Sequence, residues 1–286
     1  MKVLVTGGAG FIGSNLCERL IKKNGVSVWS LDNYSTGSKK NHIKGVNYLT
    51  GSTTEISTIV NLSPDLVFHL GEYSRVEQSF KDFDEVINSN VNGTMEVLKF
   101  CKKVGAKLIY SGSSTKFAIN DGSNQSPYAW SKANNTQLIK NYSNWYGLEY
   151  AIVYFYNVYG KREISTGNYA TLIAKFNELM KQGNNLTVVS PGTQKRNFTH
   201  IDDIIDGIIL VSEFGAGDGY GIGSEKKYSI LEIAKMFGGK IEYLPERPGN
   251  RMDGILMTEK LTALGWKSTR LIEDYINELK KDYINL

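Results

Sequence analysis

Thr6-Gly7-Gly8-Ala9-Gly10-Phe11-Ile12-Gly13 (TGGAGFIG) follows a short apolar run, Lys2–Thr6, and leads into a stretch where Ile12, Leu16, Leu20 and Ile21 recur at helical spacing. Gly25 stops that stretch just after Lys23, and Val26–Asp32 is strand-like again. Further strands are predicted at Leu66–Leu70, Lys107–Ser111 and Tyr150–Tyr154, with helical patterns at Asp84–Val104 and Ala129–Tyr146 between them. Alternation of this kind calls for right-handed crossovers and a parallel sheet covered by helices on both faces. The expected fold class is α/β.

Gly7, Gly10 and Gly13 are spaced G-x-x-G-x-x-G between a strand and a helix. A tight turn and a close approach of backbone to a pyrophosphate both require residues without a Cβ. The helix start beyond them offers free N–H groups and the positive end of a dipole. Asp32 ends the second strand, 19 residues beyond Gly13, where a carboxylate accepts hydrogen bonds from adenosine ribose hydroxyls. It would repel a 2′-phosphate, and no Arg stands beside it, so NAD is expected rather than NADP. The loop and Asp32 together predict a Rossmann-type doubly wound parallel sheet.

Regularity weakens after Tyr159. A helix is predicted at Tyr169–Gln182, followed by turns at Asn184–Asn185 and Pro191–Gly192. The Gly-rich stretch Phe214–Gly223 precedes a helix at Ile230–Phe237, Glu246–Asn250 is a loop, and Ile272–Tyr283 is an amphipathic helix. The expected organisation is a dinucleotide-binding domain over 1–159, with a return segment near 196–212. A smaller α/β substrate-binding lobe then covers most of 160–286.

Composition narrows the class. A hydrophobic share of 41% against 22% charged residues suits a globular protein with a full core. The net charge of +4 comes from scattered pairs such as Lys22–Lys23 and Lys102–Lys103, which does not make a nucleic-acid patch. Cys17 and Cys101 lie in helix-like stretches, where buried apolar roles are expected rather than a disulfide framework. The histidines His42, His69 and His200 have no metal-ligand spacing, and no metal is expected. Met1 runs directly into a strand without a signal-type segment, and no apolar run reaches the roughly 18 residues of a membrane span. A cytoplasmic location without membrane or nucleic-acid partners is expected.

Tyr128-Ala129-Trp130-Ser131-Lys132 begins a helix after Pro127, and Tyr128 is the only Tyr with a Lys four residues ahead. It follows a Ser-rich strand end, Ser111-Gly112-Ser113-Ser114-Thr115. With these motifs the chain resembles the extended short-chain dehydrogenase/reductases, in particular the NAD-dependent epimerase/dehydratase branch that acts on nucleotide sugars. TGGAGFIG, DNYSTG at Asp32–Gly37, HL at His69–Leu70, NVNGT at Asn90–Thr94 and PYAWSK at Pro127–Lys132 all fit. So do NVYG at Asn157–Gly160, RNFTHIDD at Arg196–Asp203, ERPGN at Glu246–Asn250 and LGW at Leu264–Trp266.

The resemblance implies roles residue by residue. Gly7, Gly10, Phe11, Ile12, Gly13, Asp32, Asn33, Ser35, Thr36, Gly37 and Leu70 would hold NAD, together with Tyr128 and Lys132. Tyr128 would be the general base, its ionised form favoured by the cationic Lys132 and oxidised nicotinamide. Lys132 would also hold the nicotinamide ribose, and Ser113 would hydrogen-bond the reacting oxygen. Ser113, Tyr128 and Asn157 would touch the sugar, with Arg196 and Arg247 as diphosphate ligands, a task suited to the bidentate guanidinium. A homodimer is implied, packed through the helices Asp84–Val104 and Ala129–Tyr146. Leu138, Ile139, Tyr142 and Trp145 either supply its apolar stripes or face the chain's own sheet.

Departures from the family pattern qualify this. Ser114 and Thr115 stand where the related 4,6-dehydratases carry an Asp–Glu pair, so dehydration is not expected. Gly51-Ser52 replaces a usual Gly-Asp at the adenine end. Glu72 and Arg75 follow His69-Leu70 where small residues are usual; they either pair with each other or project toward nicotinamide or sugar. The leading expectation is a nucleotide-sugar 4-epimerase. A 4-dehydrogenase or reductase needs the same residues, and a non-catalytic NAD sensor needs none of the three catalytic ones.

Overall fold

The computed structural model describes residues 1–117, 126–245 and 255–284. The first half runs β1 (Lys2–Thr6), α1 (Phe11–Leu20), β2 (Ser27–Asp32), β3 (Asn47–Thr50), α2 (Ile56–Ile59) and β4 (Leu66–His69). Next come α3 (Phe83–Val86), a π-helical segment Ile87–Asn92, α4 (Gly93–Val104), β5 (Lys107–Ser113), α5 (Pro127–Tyr146) and β6 (Tyr150–Phe155). The second half begins with β7 (Val158–Tyr159), α6 (Leu172–Lys181), β8 (Leu186–Val189), β9 (Lys195–Asn197), β10 (Thr199–His200) and α7 (Ile201–Phe214). It closes with β11 (Gly217–Ile222), β12 (Lys227–Ser229), α8 (Ile230–Phe237), β13 (Ile241–Leu244), α9 (Glu259–Ala263) and α10 (Ile272–Ile284).

Seven strands form one parallel sheet in the order β11-β6-β5-β4-β1-β2-β3. The α/β doubly wound fold expected from the sequence is therefore present. Successive strands run outward from β1 in both directions, so β1 and β4 flank the topological switch point. Crevices for ligands open there, at the carboxyl ends of the strands. Each face of the sheet carries its own core. Val3, Val5, Leu16, Phe68, Val153, Ile204 and Ile208 pack with α1 and α7 on one side. Leu4, Val67, Val97, Leu98, Leu108, Ile139 and Ile152 pack with α4 and α5 on the other. A third core, with Phe176, Val188, Tyr228, Phe237 and Ile276, joins α6, α8 and α10.

Two elements differ from the expectation. The helix predicted over Asp84–Val104 is interrupted by a π segment. Its Asn90 side chain accepts from Tyr73 N at 2.7 Å and donates to Tyr73 O and Ser131 Oγ, so the widened turn ties the loop after β4 to α5. The Gly-rich stretch Phe214–Gly223 contains β11, an edge strand beside β6. Glycine hides its strand character but is needed there, because a Cβ at Gly221 would overlap the Met257 carbonyl. Among the described residues no helix is long and apolar enough to cross a membrane.

Asp203 of the RNFTHIDD segment holds α7 to the chain before α10. Its buried carboxylate accepts from Ser268 Oγ, the Thr269 amide and hydroxyl, and the Arg270 amide and guanidinium, at 2.7–3.1 Å. Burial opposes its ionisation, yet these donors hold its pKa below the ordinary value. Asp203→Ala orphans several buried donors at once and is expected to cost about 3 kcal/mol of stability. Urea denaturation at pH 7 measures this, and a loss under about 1 kcal/mol would contradict the assignment.

Candidate active site

One cleft of about 520 Å³ runs across the carboxyl ends of the central strands. At one end are Gly7, Gly10, Phe11, Ile12 and Gly13 from the loop between β1 and α1. The turn is closed by backbone: Gly7 N donates to Leu31 O at 2.8 Å, and Gly10 N to Gly7 O at 3.1 Å. A Cβ on Gly13 would overlap the Gly7 carbonyl, and one on Gly7 would stand 2.8 Å from Gly71 Cα. Gly10 caps α1 without a side-chain bond, so the first amides of the helix are left for an anion. Asp32, Asn33, Ser35 and Thr36 line the same end. The Asp32 carboxylate is fixed by Ala9 N and Tyr34 N, each at 2.8 Å. A glycine cradle with an oriented carboxylate at its far end fits the pyrophosphate and adenosine ribose of a dinucleotide. Gly37 does not line the cleft; it packs on Asp32, where a Cβ would lie 2.7 Å from Oδ1. Ser52 does line it, and its hydroxyl is committed to the Thr54 amide at 3.2 Å.

The cleft continues past Leu70 to Ser113, Tyr128 and Lys132. Ser113 ends β5, and its Oγ lies 2.9 Å from Thr115 Oγ1. Tyr128 and Lys132 occupy the first turns of α5, whose start is set by Pro127 and by Ser126 Oγ accepting from Ala129 N at 3.1 Å. Ser114 and Thr115 also line the cleft. Among the described residues no group of three His, Cys, Asp or Glu is placed to hold a metal.

Glu72 forms an ion pair with Lys132, and both side chains are buried. The lysine also donates to Ser111 O at 2.6 Å. The other Glu72 oxygen accepts from Thr94 Oγ1, Asn135 Nδ2 and Tyr110 OH at 2.9–3.1 Å. Glu72 thus pairs with the candidate catalytic lysine and not with Arg75. Arg75 lines the cleft with its Nε buried and without a hydrogen-bond partner. Its guanidinium stands over the Tyr169 ring, 5.4 Å from the centroid, and donates to the Tyr169 carbonyl. Burial draws its pKa down, opposed by Tyr128, Tyr169 and Tyr73.

The far end is lined by Asn157, Phe198, Glu163 and Thr171. Asn157 has φ +36, a left-handed geometry that Asn tolerates better than most residues, and its Nδ2 donates to Asn197 O at 3.0 Å. Arg196 is not among the lining residues; it lies on β9, opposite Tyr228 of β12. Arg247 and the ERPGN segment fall outside the described residues. Glu163 and Thr171 had no signal in the sequence, since no motif covers them, whereas Phe198 lies within the RNFTHIDD motif without being singled out by it.

The model of the NAD dependent epimerase/dehydratase family matches residues 3–223, and the chain belongs to this family. Its cofactor is NAD, as in solved structures of similar proteins. UDP-glucuronic acid decarboxylase 3 of Arabidopsis thaliana is 27% identical over 311 aligned positions, covering 99% of this chain and 89% of the relative. A UDP-glucose 4-epimerase from Thermotoga maritima, solved with UDP-glucose, has a TM-score of 0.90 at 26% identity and covers 100% of this chain and 99% of its own. A UDP-glucuronic acid 4-epimerase from Bacillus cereus, in complex with UDP-glucuronic acid and NAD, has a TM-score of 0.86, with 100% and 99% covered. It is 24% identical to this chain.

 These relatives are named for epimerases and decarboxylases, and a dTDP-D-glucose 4,6-dehydratase of Dictyostelium discoideum is also similar. The family and cofactor are thus common ground, while the reaction differs among members.

Burial pushes the Glu163 carboxyl up to about 7, against the Gly160 amide and Thr171 hydroxyl that favour its ionised form. The unfolded chain gives up this proton near 4.5, so the folded state binds more protons in between. Stability therefore falls as pH rises from about 4.5 to about 7, by about 3 kcal/mol once both states are ionised. Glu163→Gln removes that penalty. Its melting temperature relative to wild type is expected to climb between pH 5 and pH 8, and a flat difference would contradict the raised pKa.

Proposed function

We propose that this chain is a nucleotide-sugar 4-epimerase acting on a nucleoside-diphosphate hexose. The observation that carries the reading is the convergence of Ser113, Tyr128 and Lys132 in the cleft that also holds the glycine loop and Asp32. NAD, which the glycine loop and Asp32 would hold, would supply the hydride chemistry at the sugar carbon 4. Tyr128 takes the proton of the 4-hydroxyl and gives it back. Ser113 hydrogen-bonds the same oxygen and holds it in line with the phenol. Lys132 has N–H capacity beyond Glu72 and the Ser111 carbonyl, and directs it to the nicotinamide ribose. Ser114 and Thr115, where the dehydratases carry carboxylates, supply no acid or base for elimination. Asn157 is assigned to the sugar, and Arg247 to the diphosphate by family resemblance.

Arg75 favours one elaboration, a sugar that carries a carboxylate. A partly buried guanidinium with an unpartnered Nε is costly unless a ligand supplies an anion. On such a substrate, oxidation at carbon 4 produces a β-keto acid, from which loss of CO2 is chemically easy. That links the epimerase reading to the decarboxylases among the relatives. A 4-dehydrogenase or reductase would share the first half-reaction and differ in releasing the keto sugar.

We further assign a homodimer packed through α4 and α5. Ile139 is fully buried in the chain's own core, whereas Met95, Trp130, Trp145 and Tyr146 leave large apolar surfaces exposed.

Incubation with UDP-, GDP-, CDP- and dTDP-sugars, uronates included, tests the reaction. A 4-epimer with no net NADH is expected; stoichiometric NADH with a keto sugar would favour the dehydrogenase. Tyr128→Phe should lower turnover by at least about a hundredfold while leaving NAD binding intact. Equal turnover in variant and wild type would remove Tyr128 from the mechanism. Light scattering should give twice the chain mass, and Trp145→Glu should shift it toward one; a monomeric wild type would overturn the dimer.

A further inference from the structure

We infer that Glu72 sets the redox balance of the bound cofactor by cancelling the charge of Lys132 beside the nicotinamide. The inference rests on the reading that Lys132 holds the nicotinamide ribose. Glu72 is not a chance neighbour of that lysine. Its side chain is only 2% exposed and that of Lys132 5%. One carboxylate oxygen takes the ammonium, and the other takes donors from three separate elements: Thr94 of α4, Tyr110 of β5 and Asn135 of α5. A carboxylate held at this many points stays in place when a ligand enters.

The physical consequence follows from charge. The nicotinamide ring of NAD+ is cationic and that of NADH is neutral. A buried ammonium beside the ring therefore disfavours the oxidised form, and little solvent is present to screen it. With Glu72 attached, the pair is close to neutral and the penalty is lifted. When a sugar alcohol is oxidised, its C–H bond breaks, the hydride with both electrons goes to the ring, and the hydroxyl proton goes to Tyr128. The ring charge is lost in that step, so Glu72 favours the return of the hydride and a short-lived keto sugar.

Dissociation constants for NAD+ and NADH, measured by NADH fluorescence and competition on protein stripped of cofactor, test this without any sugar. In Glu72→Gln the ammonium is uncovered, and Kd(NAD+)/Kd(NADH) should rise by roughly tenfold. For a two-electron couple that is about 30 mV. Lys132→Met leaves the carboxylate alone and should move the ratio the other way, and the double variant should return it toward wild type. A merely structural role would weaken both cofactor forms alike, and equal changes in the two constants overturn the inference. If Glu72→Gln does not fold, Lys132→Met decides: an unchanged ratio there overturns it as well. Because no sugar nucleotide enters, failure of the epimerase reading and failure of this inference are read separately.

Discussion

The approach of two backbones at the switch point constrains everything around it. Gly7 after β1 and Gly71 after β4 meet so closely that a Cβ on either would stand 2.8 Å from the other's backbone. Neither strand can be displaced, because β1 and β4 are hydrogen-bonded neighbours in the middle of the sheet. The glycine turn before α1 and the turn that leads to Glu72 are therefore two sides of one contact. Glycine at both positions makes it sterically possible, and the parallel register of the strands makes it obligatory.

A polar chain follows from that contact. Thr6 Oγ1 accepts from the Leu70 and Gly71 amides and bonds His69 Nδ1 at 2.8 Å; His69 Nε2 lies 3.1 Å from Thr94 Oγ1. Burial drives the His69 pKa down to about 4, so the imidazole is neutral at neutral pH and one nitrogen donates while the other accepts. With Thr94 donating to Glu72, the consistent assignment has Thr6 donating to Nδ1 and Nε2–H donating to Thr94. The network then joins the end of β1 to the Glu72–Lys132 pair without leaving a donor idle. The Glu72–Lys132 pair is therefore held by buried groups rather than by solvent.

What the sequence made legible was local. Gly7, Gly10, Gly13 and Asp32 act through a strand–turn–helix unit that a short window contains, and Tyr128 and Lys132 share one helical turn. The alternation of Val- and Ile-rich runs with helical patterns was enough for the doubly wound sheet. Glu72 was visible as a departure from the family pattern, but its partner lies 60 residues away on α5, and no spacing rule connects them. The chemistry of a buried carboxylate depends on which cation the fold delivers, and Arg75 was the nearer candidate in sequence. Likewise β11 was hidden because its glycines answer to steric limits against the 257 segment rather than to strand propensity.

The same distinction separates the two ends of the cleft. At the dinucleotide end the ligand is invariant in shape, so backbone geometry suffices, and that geometry leaves a glycine signature. The other end is lined by Arg75, Asn157, Glu163 and Phe198, which come from four separate loop or strand-end segments. Their combination mixes a guanidinium whose buried Nε has no hydrogen-bond partner with a carboxyl that burial pushes up to about 7. An anion entering this end favours the Arg75 cation and opposes ionisation of Glu163, since opposite charges stabilise and like charges disfavour each other. Such chemistry depends on groups that loops bring together from distant positions, so no short window of sequence displays it.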